Sequence, residues 1–151
     1  MSQHQGENAS ENRKREWLRV LKFTLFSASA GIIQVASFAL FHDVFHFPSY
    51  WMSYLPSLVL SVLWNFTFNR RYTFRSDADI TRSMLLVGVY YAVFTPLTSF
   101  LGQFLSEIGV HDWLVEGINM LLNFVTEFFY QKLVVYRKTI DTNALAQRGR
   151  Q

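Results

Sequence analysis

The residues of this chain whose types could bind a charged ligand stand close together at positions 64–75, in the stretch WNFTFNRRYTFR. Side-chain amides are supplied by Asn65 and Asn69, and Arg70 and Arg71 follow at once. A guanidinium group stays charged and can donate two parallel hydrogen bonds to a phosphate, while an amide can donate and accept. The stretch suits a site for a phosphate that carries a polar group such as a sugar. The alternative is that its arginines are ordinary anchors that contact anionic lipid at the inner face of a membrane.

A second stretch with the same pattern, TEFFYQKLVVYR, lies 62 residues further along, so that position 64 matches position 126. Its polar residues Glu127, Gln131 and Lys132 take the places of the two asparagines and the first arginine. Polar residues are costly within an apolar segment. Their recurrence in register predicts two related copies of one site, of which the first carries more positive charge and the second an acid.

Each copy ends a longer series of polar residues spaced four apart. The first series is Ser57, Ser61, Asn65 and Asn69, and the second is Asn119, Asn123, Glu127 and Gln131. Since residues four apart lie on one face of a helix, we expect a polar stripe on each of two helices.

Two interpretations of the stripes stay open. The side chains could hold neighbouring helices together, with about 0.6–2 kcal/mol for each hydrogen bond. They could instead line a hydrated path that a lipid headgroup enters. Glu127 favours the second interpretation, because an ionisable residue in a span usually marks a function or an ion pair, here with Arg70 or Lys132 as the expected partner.

Hydrophobic residues make up 50% of the 151 residues and are clustered rather than dispersed. About 20 apolar residues cross the hydrocarbon core of a bilayer. The apolar runs also lack the period of an amphipathic helix, which disfavours a soluble bundle. The chain is thus predicted to be an all-α membrane protein with four transmembrane helices, at about 20–41, 50–69, 83–106 and 114–136.

The distribution of the 14 Lys and Arg residues predicts the orientation. They all lie within 13–22, 70–82 and 132–150, and the two other loops hold none. Cytoplasmic loops are enriched in Lys and Arg, so both termini and the central loop are expected on the cytoplasmic side. The helices would then form two parallel two-helix repeats. This placement of charge also disfavours nucleic acid as a partner.

The predicted domain organisation depends on these spans. Residues 1–16 are polar and are expected to form a disordered cytoplasmic tail. Residues 17–138 form the membrane domain, and residues 139–151 a second cytoplasmic tail. Four helices make a narrow bundle for a sugar headgroup, which leaves a homodimer open.

At the first copy the chain resembles the GtrA-like family of small four-span membrane proteins, over residues 20–138. The motif is Asn-Phe-x-x-Asn-Arg-x-x-x-Phe, here Asn65, Phe66, Asn69, Arg70 and Phe74. The chain departs from the family pattern by a second arginine after the motif's own, where an aromatic-containing turn is commoner, and by a less glycine-rich first span.

The resemblance implies a role in cell-surface polysaccharide synthesis. Members of the family are thought to move polyprenyl-phosphate-linked sugars from the cytoplasmic to the outer leaflet of the inner membrane. Implied partners are that sugar lipid, membrane lipids and a membrane glycosyltransferase. The substrate-binding residues are then expected to be Asn65, Asn69, Arg70, Arg71, Asn123, Glu127, Gln131 and Lys132.

Other functions stay open beside this one. The protein could be a membrane anchor or accessory subunit for a glycosyltransferase, or a small proton-coupled exporter with Glu127 as the coupling residue. An enzyme is not expected, because the sequence has no glycine-rich phosphate loop and no nucleophile–base pair. No cofactor or metal is expected either: His42, Asp43 and His46 are interpreted as an outer-loop cap.

Overall fold

The computed structural model describes the backbone of residues 2–149, and the side chains of residues 8–149 apart from those at positions 51, 112 and 116. Within this range every regular element is helical. The helices are α1 (Ser2–Ala39), α2 (Tyr50–Phe68), α3 (Ile80–Glu107), α4 (Asp112–Tyr130) and the short α5 (Ala144–Arg148). The all-α prediction is confirmed.

Three of the helices continue directly into a five-residue π-helical turn. These turns are Leu40–Val44 after α1, Asn69–Thr73 after α2 and Gln131–Val135 after α4. We call Asn69–Thr73 the first exit turn and Gln131–Val135 the second exit turn.

Each of the four predicted apolar segments is helical. Among the described residues, two helices are long and apolar enough to cross a membrane by length and composition, Asn8–Val44 with 37 residues and Ile80–Glu107 with 28. Both are consistent with the predicted membrane protein.

Many large apolar side chains are exposed while several polar ones are buried, which is unusual for a soluble bundle. Leucines of the long helices are exposed, Leu25 by 58% and Leu97 by 62%, whereas Ser57 and Asn69 are fully buried and Glu127 is 4% exposed. Hydrocarbon cannot satisfy polar groups, and apolar side chains gain nothing by leaving it. Helices with this distribution are suited to a lipid environment.

The chain divides into two compact units, and each contains one pair of long helices. The first unit runs to Arg75 and also includes the segment that begins at Asn143; the second is Ser76–Thr142. In the first unit α1 and α2 are antiparallel: the Ser61 hydroxyl donates to the Ala30 carbonyl at 2.9 Å. Just beyond the first exit turn, the ring of Phe74 meets the ring of Phe23 of α1 edge to face at 6.2 Å.

The expected disordered tail differs from the structure, since helix α1 begins at Ser2. Glu11 and Arg15 form an i,i+4 ion pair at 3.1 Å on this part of the helix. The apolar part of α1 already meets the cost of helix nucleation, so polar residues of good helix propensity extend it at little further cost.

In the second unit a glycine of α3 lies close to side chains of α4. A Cβ atom on Gly102 would lie 2.9 Å from the Asn119 amide nitrogen and 3.5 Å from Val115 Cγ1. A Cβ atom on Gly31 in α1 would have no such neighbour within 4 Å. The neighbouring Ala30 is buried there instead, at 3% exposed.

These two glycines give a prediction with a built-in control. Gly102→Ala is expected to destabilise the protein by about 1–2 kcal/mol, because the Asn119 side chain must shift or the helices must separate. Gly31→Ala is expected to be neutral or to stabilise by up to about 1 kcal/mol through helix propensity. Reversible unfolding in mixed micelles measures both. Equal effects of the two substitutions would show that the contact at Gly102 is not close.

Candidate functional site

The first group of predicted site residues lies at the end of α2 and in the first exit turn. The turn has the wider π-helical bonding, in which the Phe74 amide donates to the Asn69 carbonyl, five residues back, at 2.9 Å. The extra residue rotates the main chain beyond it, and Asn69, Thr73 and Phe74 are all buried. Single π-helical turns occur frequently at functional sites.

A chain of hydrogen bonds joins polar residues of α1, α2 and the first exit turn. Asn69 donates to the Asn65 side-chain oxygen at 2.6 Å, and the Thr73 hydroxyl donates to the Asn69 side-chain oxygen at 2.7 Å. Ser27 of α1 donates to the same Asn65 oxygen at 3.2 Å. The structure thus brings the two predicted asparagines together and ties them to α1.

The two arginines of the first exit turn differ in exposure. Arg71 is exposed, with its guanidinium carbon 5.5 Å from the centroid of the Tyr72 ring, whereas Arg70 is half-buried. A cation over an aromatic face keeps its hydrogen-bond donors available at the edges of the guanidinium plane. Arg71 is therefore placed to meet an anion at the helix end.

A buried arginine that was not among the predicted site residues lies beside this turn. Arg19 of α1 is 8% exposed and donates from Nε to the Thr73 carbonyl at 3.3 Å. It also forms an ion pair with Glu16. No periodic signal marks Arg19 in the sequence, because its partner lies 54 residues away.

In the second unit the buried acid is held by two neutral donors. The Tyr91 hydroxyl donates to Glu127 Oε1 at 2.9 Å, and the Gln131 amide donates to the same oxygen at 3.0 Å. The structure thus brings Glu127 and Gln131 together. An ion pair of Glu127 with Arg70 or Lys132 stays a prediction.

The two remaining predicted site residues of the second unit, Asn123 and Lys132, differ in their surroundings. The Tyr90 hydroxyl contacts the Asn123 side-chain oxygen at 3.2 Å and the Thr126 hydroxyl at 2.8 Å. Asn123 thus takes part in a contact between α3 and α4. This agrees with the interpretation of such residues as a link between helices. Lys132 is half-buried in the second exit turn.

The tyrosines at 90 and 91 were not predicted from the sequence to belong to a site. A signal was present: two tyrosines in the middle of an apolar helix carry hydroxyls that need partners when buried. The Tyr90 ring lies 5.1 Å from the Tyr130 ring and 5.0 Å from the Phe94 ring. The second stripe is therefore bordered by aromatic faces.

A few buried polar atoms of the described residues have no hydrogen-bond partner. They include the Gln131 side-chain oxygen and the hydroxyl of Ser53, in residues that are 2% and 0% exposed. An unpaired buried polar group costs about 1–3 kcal/mol. A ligand hydroxyl that donated to Gln131 Oε1 would recover this free energy.

Comparison with known proteins identifies the family. The family model described as "GtrA/DPMS, transmembrane domain" matches residues 8–74 and 22–136. No curated protein and no solved structure matches significantly. This match suggests a role in polysaccharide synthesis. Members of the family are generally non-catalytic membrane proteins. The chain belongs to the GtrA/DPMS transmembrane domain family, which confirms the resemblance found in its motif.

Proposed function

We propose that this protein moves a polyprenyl-phosphate-linked sugar from the cytoplasmic to the outer leaflet of the inner membrane. The observation that carries the proposal is the first exit turn, where the half-buried Asn65 and the buried Asn69 lead directly to an exposed arginine at the end of a largely apolar helix. Such a place can bind a phosphate while the attached hydrocarbon stays in lipid.

Helix lengths support four spans. With its exit turn, α2 covers residues 50–73, and α4 with its turn covers residues 112–135. At a rise of 1.5 Å per residue each is about 36 Å long, compared with roughly 30 Å of hydrocarbon. The excess of Lys and Arg near both exit turns favours a cytoplasmic position for these turns.

Each unit, taken by itself, offers groups that suit a different part of the sugar lipid. Arg70 and Arg71 of the first unit would bind the phosphate, since arginine donates bidentately. In the second unit Glu127 and Gln131 would bind sugar hydroxyls, because a carboxylate accepts hydrogen bonds and the Gln131 side-chain oxygen lacks a donor. Asn123 and Lys132 would contribute a further polar group and a positive charge.

A groove in the first unit supports a place for hydrocarbon next to the polar series. It lies between α1 and α2, has a volume of about 640 Å³ and is lined mainly by apolar side chains, including Leu60, Leu63 and Trp64. The Trp64 indole donates to the Ser29 hydroxyl at 2.9 Å, so the wall of the groove is itself held in place.

The proposal is tested with purified protein in proteoliposomes that contain a fluorescent polyprenyl-phosphate-linked glucose. Membrane-impermeant reductant bleaches only lipid in the outer leaflet, so its kinetics report translocation. We expect translocation much faster than in protein-free vesicles and vesicles that hold an unrelated four-helix membrane protein. A rate equal to that of these controls would contradict translocation.

A second candidate is an accessory subunit of a membrane glycosyltransferase. One observation favours it: Ser61 and Asn123 already form hydrogen bonds with the neighbouring helix of their own unit, which gives these residues a structural role. For this function the protein would co-purify with a transferase and raise its activity, and substitution of the arginines in the first exit turn would leave both properties unchanged.

A further inference from the structure

The segment that begins at Asn143 belongs to the first unit. Asn143 precedes α5 and uses three of its groups at once. Its backbone amide donates to the Arg75 carbonyl at 2.9 Å, and its side-chain nitrogen donates to the Arg71 carbonyl at 2.9 Å. Its side-chain oxygen accepts from the Ala146 amide at 3.1 Å, which caps α5. Ala146 is buried, at 4% exposed.

Asn143 binds one carbonyl inside the first exit turn and one two residues beyond it. The last carbonyls of a helix have no partner within the helix and need one from elsewhere. Arg71 lies inside the first exit turn, and Arg75 comes after it with φ of 47°. A residue other than glycine adopts a positive φ at a cost and keeps it only where the surroundings hold it.

The contact fixes the main chain of Arg71 while its side chain stays exposed. A binding group whose backbone is already ordered loses less conformational entropy when a ligand arrives. The main chain after the second exit turn forms a local turn instead, in which the Thr139 amide donates to the Tyr136 carbonyl at 2.9 Å. The Asn143 contact is thus made to the first exit turn, which carries two arginines.

We infer that Asn143 is a positioning residue for the phosphate site. By holding the main chain of Arg71, the C-terminal segment sets the affinity of the first exit turn for phosphate. The inference rests on the phosphate role of Arg71 in the proposed function. It gives residues 143–148 a role in binding, where the sequence pattern had indicated only a tail.

Asn143→Ser is the variant that tests this role. Serine is also a good helix N-cap, so it can retain the cap on α5, but its short hydroxyl does not reach the Arg71 carbonyl. It adds no charge that would repel an anion. Ala144→Ser changes an exposed neighbour and serves as the matched control.

The probes are farnesyl phosphate and farnesol, titrated into the full-length protein in detergent. We expect Asn143→Ser to weaken farnesyl phosphate binding roughly fivefold, as for the loss of one hydrogen bond, and to leave farnesol binding unchanged. Amide hydrogen exchange at positions 71–76 should become faster. The control should behave like the parent in all three measurements.

A double-mutant cycle separates positioning from a general loss of stability. If Asn143 acts through Arg71, then Asn143→Ser should have little further effect on affinity in an Arg71→Ala background. An equal loss in both backgrounds, or no loss in the parent background, would overturn the inference. So would a parent protein that binds farnesyl phosphate no better than farnesol. A parent that binds it selectively and shows the predicted cycle, yet moves no sugar lipid, would contradict the proposed translocation alone.

Discussion

Replacing Arg70 and Arg71 together by alanine is expected to lower translocation of the polyprenyl-phosphate-linked sugar by about 100-fold or more. Each hydrogen bond to a charged group contributes about 1.5–3 kcal/mol, and two guanidinium groups would be lost from the phosphate. Translocation in proteoliposomes and binding of farnesyl phosphate in detergent measure the two expected losses.

The matched control removes two other cations from the basic regions of the chain. Arg82 and Lys138 are both exposed, so the variant Arg82→Ala/Lys138→Ala changes the net charge by the same amount. If translocation falls equally in both double variants, then general attraction to anionic lipid explains the arginines and the site assignment fails. Arg71→Lys should retain only part of the parent's binding of farnesyl phosphate, because an ammonium group cannot form the bidentate contact.

Replacing Glu127 by glutamine is expected to reduce translocation of the sugar lipid by about tenfold or more without unfolding the protein. A glutamine oxygen can still accept from Tyr91 and Gln131, which hold Glu127 Oε1 at 2.9 and 3.0 Å. The charge that strengthens bonds to sugar hydroxyls is lost. Binding of farnesyl phosphate, which has no sugar, should not change.

Glu127→Ala should instead act through stability. It leaves the hydroxyl of Tyr91 and the amide of Gln131 without their common acceptor, at a cost of about 2–4 kcal/mol. Glu107→Gln, at an exposed acid near the end of α3, is the control and should have no effect on either property. The unfolding midpoint in micelles distinguishes this destabilising variant from the isosteric one.

The isosteric Glu127→Gln variant also addresses the proton-coupled exporter. In that case an imposed pH gradient would drive transport by the parent protein, and Glu127→Gln would abolish the dependence on the gradient. Translocation of sugar lipid that is independent of the gradient in the parent would contradict the exporter.

Much of the local structure depends on residue types and spacing alone. The long apolar runs predicted the four main helices, because a segment without charge in hydrocarbon must satisfy its backbone internally. The i,i+4 series predicted that Asn65 and Asn69 share a face, and the structure joins them by a hydrogen bond. The same holds for Glu127 and Gln131.

The helix ends were less predictable. A π-helical turn differs from an α-helical one by a single extra residue, and the choice between them depends on which side chains the neighbouring helix can bury. In the first exit turn the extra residue buries Phe74 against Phe23 of α1. Neither the period of the polar stripe nor residue propensity contains this information.

Sequence by itself determined the helical class, the family, the apolar segments and the polar stripes, since these depend on composition and on neighbours within one helical turn. Tertiary structure decided which groups complete the sites. Arg19 reaches the Thr73 carbonyl, Tyr91 reaches Glu127, and Asn143 reaches Arg71 across 72 positions of sequence. A buried polar group binds whichever partner the packing of helices brings within hydrogen-bond distance, and that distance exists only in the folded chain.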